Sequence, residues 1–189
     1  TTIFGEEGGN NCIGSTGASC AGTPGTITFG NLTLGNNANQ FNTVIGGTTT
    51  TITVAGILDI TGDAALNAGT GSIINLTGNG TVITNSGTFT AGTSTIALNS
   101  TSTTGTTIPS LTYYNLTLIR ASNTFTTASG TYSISNNLTI TAGTLDLNTN
   151  DPTLTIGGAL TIGGTLSASG TNSLTVGGNF VNNGTFTHN

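Results

Sequence analysis

The chain has 189 residues, of which one is Arg, none is Lys and six are Asp or Glu, for a net charge of -5; charged residues make up only 4%, against roughly 25% in an ordinary globular domain. Such a chain has no basic surface with which to neutralise phosphates, which excludes nucleic-acid binding and attraction to anionic membranes. No apolar run is long enough to insert in a bilayer, and with 34% apolar residues recurring in register the composition reads as ordered.

Thr1-Thr-Ile-Phe4 reads as a short strand with no partner nearby in sequence. It leads into Gly5 to Cys20, a polar Gly-rich loop that holds the only two cysteines, Cys12 and Cys20. A disulfide across this loop is the favoured expectation. It would contribute roughly 2.5 kcal/mol on the chain-entropy model and place the protein outside the reducing cytosol. A metal site is the alternative, and it lacks the close spacing and the further His or Cys that zinc takes. The chain contains no Met and reads as a processed chain or a fragment, with no signal-peptide pattern within it.

From Thr28 a new pattern begins, dividing the chain into an N-terminal strand and cysteine loop (1–27) and a repetitive region (28–189). Thr28-Phe-Gly-Asn-Leu32-Thr-Leu34 is followed by Thr53-Val-Ala-Gly-Ile-Leu58-Asp-Ile60, then by Ile74 and Leu76, and by Ile96 and Leu98. The opening phrase returns as Thr112-Tyr-Tyr-Asn-Leu116-Thr-Leu118, so the region comprises two related halves, about 28–98 and 112–189. Phe125, Tyr132, Ile134, Leu138, Ile140, Leu145 and Leu147 fill the middle of the second half. Last comes a sentence written twice: Leu154-Thr-Ile-Gly-Gly-Ala-Leu160-Thr-Ile-Gly-Gly-Thr-Leu166 and, twenty residues on, Leu174-Thr-Val-Gly-Gly-Asn-Phe180-Val-Asn-Asn-Gly-Thr-Phe186.

Alternation of period two means strand, and the glycines mark corners. Ala64-Ala-Leu66 is the nearest thing to a helical period, and neighbouring Gly and Asn prevent it from extending. One coil of about twenty residues cannot stand alone. Its few large side chains contribute roughly 1.5 to 3 kcal/mol each, while fixing each backbone costs about 1 to 2 kcal/mol. Stacked coils share a continuous core and backbone ladders. The expected fold is therefore all-β, a parallel β-helix or β-solenoid of about nine coils with Gly and Asn corners.

Phrases such as Tyr114-Asn-Leu-Thr-Leu118, Leu174-Thr-Val-Gly-Gly-Asn-Phe180 and Asn182-Asn-Gly-Thr-Phe-Thr187 resemble the right-handed β-solenoid repeats of large secreted bacterial surface proteins and adhesins, of the filamentous-haemagglutinin-like and autotransporter-passenger type. The resemblance covers about residues 28 to 189. It implies a secreted, cell-surface protein of a prokaryote, and it brings no catalytic motif.

Chemistry at the side chains is sparse. Glu6 and Glu7 lie in the cysteine loop, Asp146 and Asp151 are scattered, and only Asp59 and Asp63 are close enough to share a site; as corner caps they need no further role. His188, the only histidine, lacks an orienting carboxylate and a nucleophile nearby. No enzyme, catalytic residue, metal or cofactor is expected. The sequons at Asn31, Asn75, Asn115 and Asn137 could accept glycans, but read more simply as corner Asn followed by the strand pattern itself.

The ends carry the functional expectation. Solenoids that stay monomeric cap their terminal coils, since an open coil presents unpaired backbone groups. Here Gly184-Thr-Phe-Thr-His-Asn189 stops where the internal copy, Gly87-Thr-Phe-Thr90, goes on to Ile96 and Leu98, and Thr1-Thr-Ile-Phe4 resembles the missing Thr-Ile strand. The expected contact between subunits therefore joins Thr1, Thr2, Ile3 and Phe4 to Thr185, Phe186, Thr187, His188 and Asn189, and the expected partner is a second copy in a head-to-tail filament. With nine coils the subunit rise would be about 40 to 45 Å. Two other readings stand beside it. One is an adhesin that binds glycans or other cell surfaces through a lateral face, with Tyr113 and Tyr114 as the adjacent aromatic pair. The other is an ice-binding protein using Thr-x-Thr rows, seen at Thr51 and Thr53, Thr88 and Thr90, and Thr185 and Thr187, though not in every coil.

Overall fold

A computed structural model describes residues 2–4, 10–13, 26–35, 42–45, 50–62, 64–100 and 105–188. Its elements are short strands, and they follow one another in coils. The first coil contains β1 (Thr2–Phe4), β2 (Asn10–Ile13) and β3 (Thr26–Phe29). The second holds β4 (Leu32–Leu34), β5 (Asn42–Ile45) and β6 (Thr51–Val54). The third has β7 (Leu58–Ile60), β8 (Ala65–Asn67) and β9 (Ile73–Leu76). The fourth is larger: β10 (Gly80–Thr81), β11 (Ile83–Asn85), β12 (Thr88–Thr90) and β13 (Thr95–Leu98). The fifth comprises β14 (Thr106–Ile108), β15 (Thr112–Tyr113) and β16 (Asn115–Leu118). In the sixth are β17 (Thr124–Thr127), β18 (Thr131–Ile134) and β19 (Leu138–Ile140). The seventh runs through β20 (Thr144–Asp146), β21 (Thr153–Ile156) and β22 (Leu160–Ile162). The remainder is β23 (Thr165–Ser167), β24 (Leu174–Val176), β25 (Phe180–Asn182) and β26 (Thr185–Thr187).

All pairings are parallel, so the fold is the expected parallel β-solenoid. One eight-stranded sheet, the spine, runs the whole length in the order β3-β6-β9-β13-β16-β19-β22-β25. Sheet A (β1-β4-β7-β11) and sheet B (β2-β5-β8-β12) close the first half into a three-sided coil. Sheet C (β10-β14-β17-β20-β23-β26) and sheet D (β15-β18-β21-β24) close the second. The spine strands are joined by seven turns, fewer than the nine coils expected. The turn is longer than the twenty residues of the clearest repeat: Ile27 and Phe180 share one spine column and lie 153 positions apart, about 22 per turn.

The core is a set of such columns. Along the spine, Ile52, Ile74, Ile96, Leu116, Leu138 and Leu160 stack in register and are buried, as are Val54, Leu76, Leu98, Leu118, Ile140 and Ile162 two residues on. Each buries roughly 1.5 to 3 kcal/mol worth of apolar surface that a lone coil would expose. The period-two alternation puts the intervening Thr outside.

The two halves, so alike in sequence, do not occupy the same faces. Thr51 to Ile60 and Thr153 to Ile162 are the same phrase, yet the first supplies the spine and sheet A (β6, β7) and the second supplies sheet D and the spine (β21, β22). The change of frame occurs at β13 and β16, where Thr95 stacks on Asn115 and Ile96 on Leu116. Both phrases place apolar residues at alternate positions, so the ladder and the core column are satisfied whichever face is meant. Around this junction the interior is filled by rings: Tyr113, Phe125 and Tyr132 are buried, the Tyr113 hydroxyl donating to the Pro109 carbonyl at 2.7 Å and the Tyr132 hydroxyl to Ile108 at 3.0 Å. Burial pushes both phenols above the usual range, each staying neutral at any physiological pH.

Corners are built from Gly and Asn for different reasons. Asn31, Asn115 and Asn137 accept backbone N–H groups of the following coil through their side-chain oxygens (Ile57 at 2.9 Å, Asn137 at 3.2 Å and Ala159 at 2.8 Å), the corner role expected for the sequon residues; the fourth, Asn75, instead lies within the spine strand β9. Gly143, Gly164 and Gly184 stack at the turn between the spine and sheet C. A Cβ on Gly164 would sit 2.3 Å from the Gly143 carbonyl oxygen, and Gly143 itself has a φ of +85°. Gly164→Ala is expected to lower stability by about 1 to 3 kcal/mol. Gly30→Ala, where a Cβ meets nothing within 4 Å, is expected to be near neutral, and equilibrium denaturation of the two variants checks the contrast.

Candidate assembly interface

The outermost strands of the sheets define two ends. At one, β1, β2 and β3 are the edges of sheet A, sheet B and the spine; at the other, β24, β25 and β26 are the edges of sheet D, the spine and sheet C. Among the described residues no strand pairs with the outer edge of any of the six, so each end offers three rows of backbone donors and acceptors.

The β24–β26 end also leaves the core columns open. Phe180 stacks on Leu160 and is 48% exposed, whereas Leu160 is fully buried; Phe186 stacks on Leu166 and is 36% exposed, whereas Leu166 is fully buried. Val181 is exposed beside them, and Leu174 and Val176 are only half-buried over Leu154 and Ile156. Phe180 and Phe186 pack edge to face with centroids 5.5 Å apart. Leu174, Val176, Phe180 and Phe186 line, together with Ala168 and His188, a concavity of about 440 Å³.

Of the expected interface residues, Thr2, Ile3 and Phe4 form β1 at one end, and Thr185, Phe186 and Thr187 form β26 at the other, followed by exposed His188. Thr1 and Asn189 lie outside the described residues. Within its own chain β1 lies on β4 in sheet A, Thr2 opposite Leu32 and Phe4 opposite Leu34, whereas the Ile96 strand whose phrase it resembles belongs to the spine. The Thr-Ile match does not discriminate, since almost every strand of this chain contains such a pair. The sequence reading also missed β2, β3, β24 and β25 as edges. One signal was legible: Asn182 ends a column that is otherwise Phe29, Val54, Leu76, Leu98, Leu118, Ile140 and Ile162.

Cys12 lies in β2 opposite Val44. Cys20 lies outside the described residues, as do Glu6, Glu7 and Asp63, so neither the Cys12–Cys20 bond nor the Asp59–Asp63 pair is described. Tyr113 is 1% exposed and cannot serve with Tyr114 as a lateral binding platform. The three Thr-x-Thr phrases fall on different sheets: Thr51 and Thr53 on the spine, Thr88 and Thr90 on sheet B, Thr185 and Thr187 on sheet C. Register brings other residues together. On sheet C, Thr124, Thr144, Thr165 and Thr185 form one column, beside a second of Thr81, Thr107, Thr126, Asp146, Ser167 and Thr187.

The described carboxylates hold local structure. Asp59 accepts from the Thr84 hydroxyl of the next coil, and Asp146 accepts from the N–H groups of Asn148 and Thr149. No three His, Cys, Asp or Glu side chains come together among the described residues. Asp151, at a φ of 44°, accepts from the Ser169 hydroxyl at 2.8 Å and from the N–H groups of Gly170 and Thr171. These bonds, Ser169 first, hold its carboxyl below the usual range. Its stabilising effect is present above the unfolded value of about 3.9 and is lost as pH falls further, through the folded value. The melting temperature is therefore expected to drop below about pH 4, and Asp151→Asn to show a smaller drop in circular-dichroism melts across that range.

The chain matches no protein-family model, no curated protein sequence and no solved structure.

Proposed function

We propose that this protein is the structural subunit of an extracellular, cell-surface filament that grows head to tail by stacking the β24–β26 end of one copy on the β1–β3 end of the next. The observation that carries this reading is the exposure of Phe180 and Phe186 in columns whose interior members, Ile52 to Leu160 and Thr106 to Leu166, are buried. A parallel coil is complementary to its own copy by translation along the axis: one end is the partner of the other, and the contact is heterologous and does not close. Burying Phe180 and Phe186 would contribute about 1.5 to 3 kcal/mol each. Association costs about 4 to 15 kcal/mol, so the side chains alone fall near the break-even point and the new strand ladders decide the outcome. Location outside the cell is supported by the very low charge, the two cysteines and the likeness of the strand phrases to secreted surface solenoids.

Negative-stain electron microscopy of the purified protein is expected to show long thin fibres. The double variant Phe180→Asp/Phe186→Asp is expected to keep its β-rich circular dichroism and to sediment as a monomer, because a charge buried at the junction is left unpaired. Dispersed wild-type monomers at neutral pH would refute the reading, and so would fibres from the variant.

A second reading has its own observation. The two hydroxyl-rich columns of sheet C repeat at the strand spacing of about 4.8 Å and contain no aromatic residue, which suits an ordered water lattice better than a sugar. Thermal hysteresis that disappears in Thr144→Tyr/Thr165→Tyr would support an ice-binding face; no hysteresis in the wild type removes it.

A further inference from the structure

We infer that the outer face of the spine sheet is a self-association surface, through which two copies of this chain pack flank to flank, spine on spine. The contact uses the side of the rod and neither of its ends. It therefore goes beyond the head-to-tail reading and does not depend on it.

Alternation decides what the spine shows to the outside. Ile52, Ile96 and Leu138 face the core, so the residues one place on point outward, in a column that runs from Thr28 through Ala97 and Thr117 to Val181. A second outward column, one place before the core residues, begins with Thr26, Thr51, Ile73 and Thr95. None of the eight spine strands contains a charged residue. Of the five large apolar side chains exposed among the described residues, Ile73 and Val181 stand on this face, each 40% exposed. Ala97 points outward between Asn75 and Thr117 and is only 5% exposed, so nothing protrudes from the middle of the sheet.

A flat ladder of short side chains packs against a second such ladder, as in the dry interfaces between stacked sheets. The layer spacing of about 4.8 Å is common to any two copies, so a fit made in one layer is repeated in the next. A partner without that period cannot repeat the contact along the rod.

Area and charge select this face among the five. Eight strands about 4.8 Å apart, each four residues of about 3.3 Å, give a patch of roughly 500 Å² per copy and about 1,000 Å² per pair. That is the lower limit for a specific interface, and it implies a weak pair. Sheets A, B and D have four strands each and offer half as much. Sheet C has six, but Asp146 stands in its outward column between Thr126 and Ser167. Pairing two such faces would bring like charges together out of water. The spine is the longest face and carries no charge, so it tolerates its own copy. Because the same patch serves on both sides, the contact is isologous and closes with two copies.

Sedimentation velocity on the full chain carrying Phe180→Asp/Phe186→Asp, in which the end contact is blocked, tests the flank alone. From about 1 μM to about 1 mM, the weak end of the affinity range, the expected result is a shift from monomer to a limiting dimer. Adding Thr117→Arg/Thr139→Arg is expected to hold the protein monomeric across the series with unchanged circular dichroism, because like charges meet across the contact. Adding Ser133→Arg/Thr155→Arg instead, the same change on the outward side of sheet D, is expected to keep the dimer. A protein that stays monomeric before the flank is altered overturns the inference. So does a dimer that survives Thr117→Arg/Thr139→Arg, or one that Ser133→Arg/Thr155→Arg abolishes equally. Dimers from a chain whose wild type forms no fibres would remove the filament and leave the pairing; fibres without dimers would do the reverse.

Discussion

Everything in this molecule depends on each coil lying in register on the one before it. In-register stacking does two things with one geometry. It pairs the backbone of most strands with the strand one layer below, and it aligns alternate side chains into columns, so that the neighbour above and the neighbour below supply the burial that a single coil cannot. Remove a layer from its neighbours and about 22 residues must be held in place by a handful of half-exposed Leu and Ile, against a conformational cost several times larger. The charged residues that most soluble proteins place on their surfaces are replaced here by outward Thr, whose branched side chain suits the pleated surface, and Asn and Gly are kept for the corners.

That constraint explains why the fold was legible from sequence and why the faces were not. Leu154-Thr-Ile followed by Leu160-Thr-Ile announces strands and corners, because apolar alternation and Gly pairs are local signals. The assignment of β1 to sheet A, and the shift of frame between β13 and β16, depend on which of several near-identical phrases meets which. Ile96 stacked on Leu116 buries as well as Ile96 stacked on Ile74. Number of turns suffered for a similar reason: the late twenty-residue repeat is regular, while the fourth coil carries the additional Gly80–Thr81 strand, and only coordinates reveal which residues share a layer.

The candidate interface was half legible. Thr185 to Thr187 and Thr2 to Phe4 do lie at opposite ends, but the larger apolar exposure belongs to Phe180 and Val181, whose phrase looks like any other copy when read along the chain. A column view makes the difference plain, since Phe180 covers Leu160 with nothing described above it. Tyr113, by contrast, looked like surface chemistry in a linear reading and is an interior ring whose hydroxyl is satisfied by Pro109. Tyr113, Phe125 and Tyr132 fill the interior around the change of frame, and Phe180 and Phe186 stand at the open end of their columns.

The change of frame at β13 and β16 has a consequence for how such a chain can evolve. A gene made of similar repeats recombines with itself, and most crossovers join segments out of phase. In a globular core a misaligned junction would bury the wrong surfaces. Here a fusion offset by one face still finds apolar residues beneath apolar residues, so unequal crossover can lengthen or shorten the rod in increments smaller than a full turn without destroying it.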